Sequence, residues 1–137
     1  MRVTIHQPEH MPWLGFFHKI NMADVYVVLD NVQYRKNYFQ NRNKIRTSTD
    51  WTWVTVPVNH TIETLIKDVS IAEDPLWKKK WLDTIYFSYK KTEFFDNYFE
   101  EFKNILNTKW TNLSQLNYSL IKLLFTFLNI KKEVIFA

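Results

Sequence analysis

Two histidines, His6 and His10, lie in the ten-residue segment His6-Gln7-Pro8-Glu9-His10-Met11-Pro12-Trp13-Leu14-Gly15, directly after the apolar run Val3-Thr4-Ile5. An imidazole held at the end of a strand can act as a general acid or base, or can donate to a phosphate or a sugar hydroxyl. Metal ligation is the other use of such residues. Pro8 and Pro12 stop His6 and His10 from sharing a helical face, which excludes the zinc-protease pairing. His18 completes no compact ligand set, so no metal is assigned. His6 is the candidate acid/base because it ends the strand, and His10 and Trp13 are candidate substrate contacts at the rim. The prolines fix their own φ and bias Gln7 and Met11 toward extended geometry, so the loop should be stiff. The competing reading is a packed turn in which Trp13 plugs the core and the histidines are incidental. His60, in a polar stretch, reads as a surface residue.

A second set of candidates follows the next apolar run. Asp30 closes Val25-Tyr26-Val27-Val28-Leu29. A carboxylate at that point can hold a hydroxyl, an amine or a cation, with Gln33 facing the same crevice; alternatively, Asp30 caps the following turn. Between Gln33 and Arg46 stand Arg35, Lys36, Arg42, Lys44 and Arg46 with no acid among them, interleaved with Tyr34, Tyr38 and Phe39. Basic residues among aromatics grip phosphates and stack on bases or sugars. Within this stretch Arg42 offers a planar fork for phosphate or carboxylate, and Asn43 is a hydrogen-bonding neighbour. A solvated loop, or a structural corner built on Asn41-Arg42-Asn43, explains the same residues without a ligand. Lys78-Lys79-Lys80 is read as a solvated face, although three cations in the first turns of a helix oppose its dipole.

These side chains need elements to position them. Arg2 to His6 is expected to be a strand, Gly15 to about Met22 a helix, and Val25 to Leu29 a strand buried on both faces, together a βαβ unit. Trp51 to Val58 alternates as a strand with Trp51, Trp53 and Thr55 on one face and Thr52, Val54, Val56 and Val58 on the other, with Pro57 marking an edge or an end. Lys44 to Arg46 is its expected partner. Ile66 to Ile71 is a further strand candidate. Asp74-Pro75 is read as N-cap and first helical residue. Trp77, Trp81, Leu82, Ile85, Tyr86 and Tyr89 then recur at helical spacing. A second helix carries Phe95, Tyr98, Phe99, Phe102, Ile105 and Leu106. A third opens at an Asn112/Gln115 capping box. Glu133 to Phe136 is expected to join the main sheet beside the first or second strand. The fold class is therefore α/β: a mainly parallel sheet flanked by helices, a small antiparallel ribbon, and a helical second half.

The chain has 137 residues, a net charge of +4, 46% hydrophobic residues and no cysteine. That is enough apolar material for one core, and it excludes disulfides and thiolate metal sites. No apolar run approaches the ~20 residues of a membrane span, and no leader pattern opens the sequence. A cytoplasmic location is expected. Gly-x-Gly-x-x-Gly, Walker-type and Gly-x-Ser-x-Gly motifs are absent, as is a recognisable nucleophile–base pair, and the residues name no cofactor.

Four blocks in order carry a family resemblance: His6-Gln7-Pro8 through Pro12-Trp13-Leu14-Gly15-Phe16-Phe17-His18-Lys19; Ala23-Asp24-Val25 leading to Leu29-Asp30 and Val32-Gln33-Tyr34; Asn41-Arg42-Asn43-Lys44-Ile45; and Trp53-Val54-Thr55-Val56-Pro57-Val58. With later matches at Trp77, around Phe94-Phe95-Asp96 and at Leu113-Ser114, the chain resembles the WbqC-like protein family over nearly its whole length. It departs from the family pattern at Trp81, where a histidine is expected. It also ends at Ala137, where family members continue with a further α/β portion. The resemblance implies a single domain over residues 1–137, lacking that portion. It also implies a role in bacterial surface polysaccharide or O-antigen biosynthesis. The expected activity is that of an enzyme acting on a nucleotide-linked or amino-sugar substrate, with acyl or aminoacyl transfer as the candidate reaction and an anionic small molecule as the partner. His6 would be acid/base or phosphate donor, Asp30 would orient a hydroxyl or amine, and Arg42 would hold a phosphate or carboxylate. The alternative is a non-catalytic module that binds nucleic acid or another anion.

Overall fold

The computed structural model describes all residues 1–137. Three short parallel strands form the main sheet: β1 (Val3–His6), β2 (Val25–Val28) and β7 (Glu133–Phe136), in the order β1-β2-β7. The terminal strand thus pairs directly with β2. Helix α1 (Leu14–Asn21) connects β1 to β2. Its Phe16, Phe17 and Ile20 pack with Tyr26 and Val28 of β2 and with Ile121 and Phe125 of α4 (Leu113–Phe127). Only one face of the sheet is covered in this way. On the other, Val3, Ile5 and Ile135 are about half exposed, and Val25 and Val27 are only partly buried. The apolar run of β2 is therefore not buried on both faces as its composition suggested.

The larger core lies beside the sheet. It joins the antiparallel ribbon of β3 (Arg42–Arg46) and β4 (Trp51–Thr55) to α2 (Trp77–Tyr89), α3 (Phe95–Asn107) and α4. Val54, Val56, Trp77, Trp81, Leu106, Leu113 and Leu116 are all buried in it. The alternation read in the sequence holds: Val54 and Val56 point inward, and Trp51 points outward. The strand is nevertheless interrupted at Pro57, which has no N–H to give a ladder. Beyond it a two-residue β5 (Val58–Asn59) pairs with β6 (Ser70–Ile71). The first half of the Ile66–Ile71 strand candidate is a 3-10 turn, Ile66–Asp68, ahead of β6.

Two helix starts can be compared with their sequence signals. Asn112 caps α4 as expected, accepting from Gln115 N–H at 3.0 Å. Helix α2 begins later than the Asp74-Pro75 signal suggested. Asp74 Oδ1 accepts from Leu76 N–H at 2.9 Å, which closes a turn ahead of Trp77 rather than the helix itself.

Candidate functional site

The carboxyl ends of parallel strands form the edge where α/β folds place ligands. His6 ends β1 in register with Val28 of β2, so the two side chains share a face, and Asp30 follows two residues later with the same parity. Asp30 is only 7% exposed. Ser114 Oγ donates to its Oδ2 at 3.0 Å, and Lys67 N–H donates to its main-chain carbonyl at 2.8 Å. The other carboxylate oxygen has no protein donor. Asp30 lines a pocket of about 490 Å³ together with Lys67, Trp110, Ser114, Tyr118 and Phe136. Phe136 ends β7, and its ring meets Tyr118 edge-on at 5.0 Å. The pocket thus opens where β2, β7 and the start of α4 converge.

His6 ends β1 on the far side of β2 from β7 and does not line this pocket, so the expected grouping of His6 with Asp30 is not seen in the pocket lining. Its Nδ1 lies 3.0 Å from the Gln7 carbonyl, so Nδ1 carries a proton and donates it there. Tyr26 stands between the two sides. Its hydroxyl donates to the His6 carbonyl at 3.3 Å. Its phenol is held well above the usual range by burial first, and then by the negative fields of Glu9, Tyr118 and Asp30. Glu9 was not singled out in the sequence. It is buried, and burial raises its carboxyl above the ordinary value, while attraction to His6 partly offsets that rise.

The remaining candidates are placed elsewhere. His10 is fully buried rather than at the rim. Its Nδ1–H donates to Asn117 Oδ1 at 2.9 Å, and its Nε2 accepts from Trp81 Nε1 at 2.9 Å. Neither ring nitrogen is left for a substrate. Burial lowers its pKa from 6.5 to about 4, against the opposing pull of the Asn117 hydrogen bond. Asn43 is a clamp on the loop: its Nδ2 donates to the Met11 carbonyl at 2.8 Å and to the His10 carbonyl at 3.2 Å. Those bonds hold Met11 at φ 45°, a left-handed conformation opposite to the extended bias expected before Pro12.

Arg42 stacks over Trp53 at 4.2 Å and donates to the Asn37 carbonyl at 3.0 Å, and it does not line the Asp30 pocket. Gln33 is exposed and donates to the Ile62 carbonyl. Trp13 is 69% exposed, so it plugs no core. Its indole lies across Gly15, where a Cβ would meet the ring and the exposed indole would have to shift.

The sequence offered Asn117 only as part of the Leu113-Ser114 block of the resemblance, with no role of its own. It sits on the apolar stripe of α4, where a polar side chain must find partners. Its Nδ2 donates to the carbonyls of Pro8 at 2.9 Å and Gln40 at 2.7 Å. A polar residue on a buried stripe, as at Ser114 and Asn117, was the available signal.

The sheet, its ligand-side edge and the helical second half define an α/β protein with a pocket at the strand carboxyl ends. The WbqC-like protein family model matches residues 7–137, and the chain belongs to that family. A Mycobacterium tuberculosis protein, "Uncharacterized protein Rv1507c", is 32% identical over 141 residues, covering 97% of this chain and 58% of its own length. The chain therefore spans little more than half of that relative. No solved structure matches it. No helix is long and apolar enough to cross a membrane.

Proposed function

We propose that the pocket at the sheet edge binds an amino-sugar or nucleotide-linked sugar substrate, and that the protein contributes to acyl or aminoacyl transfer onto it. The observation that carries this reading is Asp30: a carboxylate with one oxygen tied to Ser114 and the other free of protein donors, in a pocket walled by Trp110, Tyr118 and Phe136. Aromatic faces suit the apolar C–H face of a sugar ring, and a carboxylate suits its hydroxyl or ammonium. Lys67 in the same lining suits an attached phosphate. His6 does not line this pocket; it ends β1 across Tyr26 from Asp30, and it remains the candidate acid or base at the same sheet edge. The family's association with surface polysaccharide synthesis supports the sugar class.

Thermal unfolding in the presence of nucleotide sugars and free amino sugars tests this. A ligand of the native state raises the midpoint in a saturable way. Asp30→Asn is expected to abolish the rise while leaving the unliganded midpoint nearly unchanged, because an amide oxygen still accepts from Ser114. A rise that persists in Asp30→Asn, or no saturable rise with any member of either class, refutes the reading.

A further inference from the structure

We infer that the outer face of the β3–β4 ribbon, none of whose residues lines the Asp30 pocket, binds single-stranded nucleic acid. The register places Arg42, Lys44 and Arg46 opposite Thr55, Trp53 and Trp51, so three cations and two indoles share one face. The opposite face carries Ile45 and Val54 into the core, so the basic–aromatic face is the outward one. Lys44 Nζ stands 3.9 Å from the centre of the Trp51 ring, and Arg42 stacks on Trp53. Trp51 and Trp53 meet edge-on at 5.8 Å. The segment leading into β3 extends the surface, with Arg35 over Tyr38 and Phe39 beside Trp53. None of the three ribbon cations belongs to an ion pair. Asp50, in the connecting turn, is the only acid between Tyr34 and Thr55.

Charge and shape together select the ligand. A row of unpaired cations selects a polyanion. The half-exposed Trp51 indole, with the partly buried Trp53 beside it, adds nothing for an anion alone but offers a stacking platform for bases. Alternate residues of a strand are about 6.6 Å apart, close to the phosphate spacing of an extended single strand. A duplex hides its base faces, and a ribbon that presents rings rather than hydrogen-bonding amides does not read groove edges. Stacking on any base predicts little sequence preference.

The test is tryptophan quenching of the full chain by an oligouridylate of about twelve nucleotides, within the range covered by single-strand binding surfaces, with inorganic polyphosphate as the base-free comparison. Saturable quenching is expected, with a log–log salt slope of about −2 if three phosphates are neutralised, since each contributes ~0.7 on a single strand. Trp51→Ala, at a position 48% exposed, should fold normally by circular dichroism. It should weaken oligouridylate binding roughly 5- to 150-fold, the equivalent of one base stack. Lys44→Gln should flatten the slope by about 0.7. The double charge reversal Lys44→Glu with Arg46→Glu should abolish binding, and it gives an independent check should Trp51→Ala not fold. Three results overturn the inference: no saturable binding at low salt, unchanged affinity in Trp51→Ala, or polyphosphate bound as tightly as the oligonucleotide.

Discussion

His10 should make stability fall as pH drops from 7 toward 4. In the folded chain its ring is sealed, donating to Asn117 and accepting from Trp81, and its pKa is lowered to about 4. Unfolding returns it to an ordinary value of 6.5. Between the two values the unfolded state binds a proton that the folded state refuses, so stability rises with pH there. The contribution is complete above about pH 7.5 and is lost progressively between about 6.5 and 4. Below that both states are protonated and the dependence on His10 ends. Each tenfold change in proton affinity is worth about 1.4 kcal/mol, which gives a total of about 3 kcal/mol. Glu9 acts with the opposite sign: its raised carboxyl takes up a proton more readily in the folded state, so its cost is relieved as pH falls.

The measurement is therefore urea unfolding from pH 8 to 4 in the Glu9→Gln background, where that opposing contribution is absent. Ring ¹⁵N spectra follow the same site directly. They should report the Nδ1–H tautomer down to near pH 4, because Nε2 accepts from the indole. A His10 resonance that titrates near 6.5, or a stability that is flat between pH 7 and 5, refutes the buried-neutral assignment.

Trp81→Phe strands His10 Nε2 without its donor. It also leaves a gap of about 40 Å³, so a loss of about 2–4 kcal/mol is expected in chemical denaturation, from an unsatisfied buried acceptor plus a small cavity. Asn43→Ala removes both hydrogen bonds to the Met11 and His10 carbonyls and should cost about 1–3 kcal/mol, with faster amide exchange confined to residues 9–13; a loss spread evenly over the chain would argue against a local clamp. Ile5→Ser lies on the open sheet face and should cost less than about 1 kcal/mol, since 53% of Ile5 is already in water. A loss several times larger would mean that this face is covered in solution.

What the sequence made legible was periodic. The three parallel strands, the inward Val54 and Val56 of the ribbon, the buried Trp77 and Trp81, and the cap at Asn112 all follow from alternation, helical spacing or capping chemistry that a few neighbouring residues carry. What it hid was made by distant partners. His10 looked like a ligand because its type suggests chemistry, and its burial is decided by Trp81 and Asn117, 71 and 107 residues away. Arg42 and Asp30 were grouped because Asp30 ends a strand and Arg42 lies in the basic stretch after it, yet the ribbon carries Arg42 onto Trp53 while Asp30 turns toward Ser114. Met11 escaped its proline bias because Asn43 supplies bonds that local sequence cannot reveal.

The polar residues of α4 account for how these distant pieces are held. Asn112 donates to the Lys67 carbonyl, Ser114 to the Asp30 carboxylate, and Asn117 to the Pro8 and Gln40 carbonyls while receiving His10. Ser114 and Asn117, three residues apart, share one side of the helix, and Asn112 sits at its cap. Each bond is worth only about 1 kcal/mol net, yet an unmatched group in the same place costs more than that. The side chains therefore specify position more than they add stability. A single helix start fixes the β1 loop, the end of β2 and the segment leading into the ribbon relative to one another. Hydrophobic packing by Leu113, Leu116 and Leu120 holds α4 in place but tolerates small slides, whereas a set of directed bonds to four separate segments does not. The placement of Asp30 in its pocket thus depends on α4, more than eighty residues further along the chain.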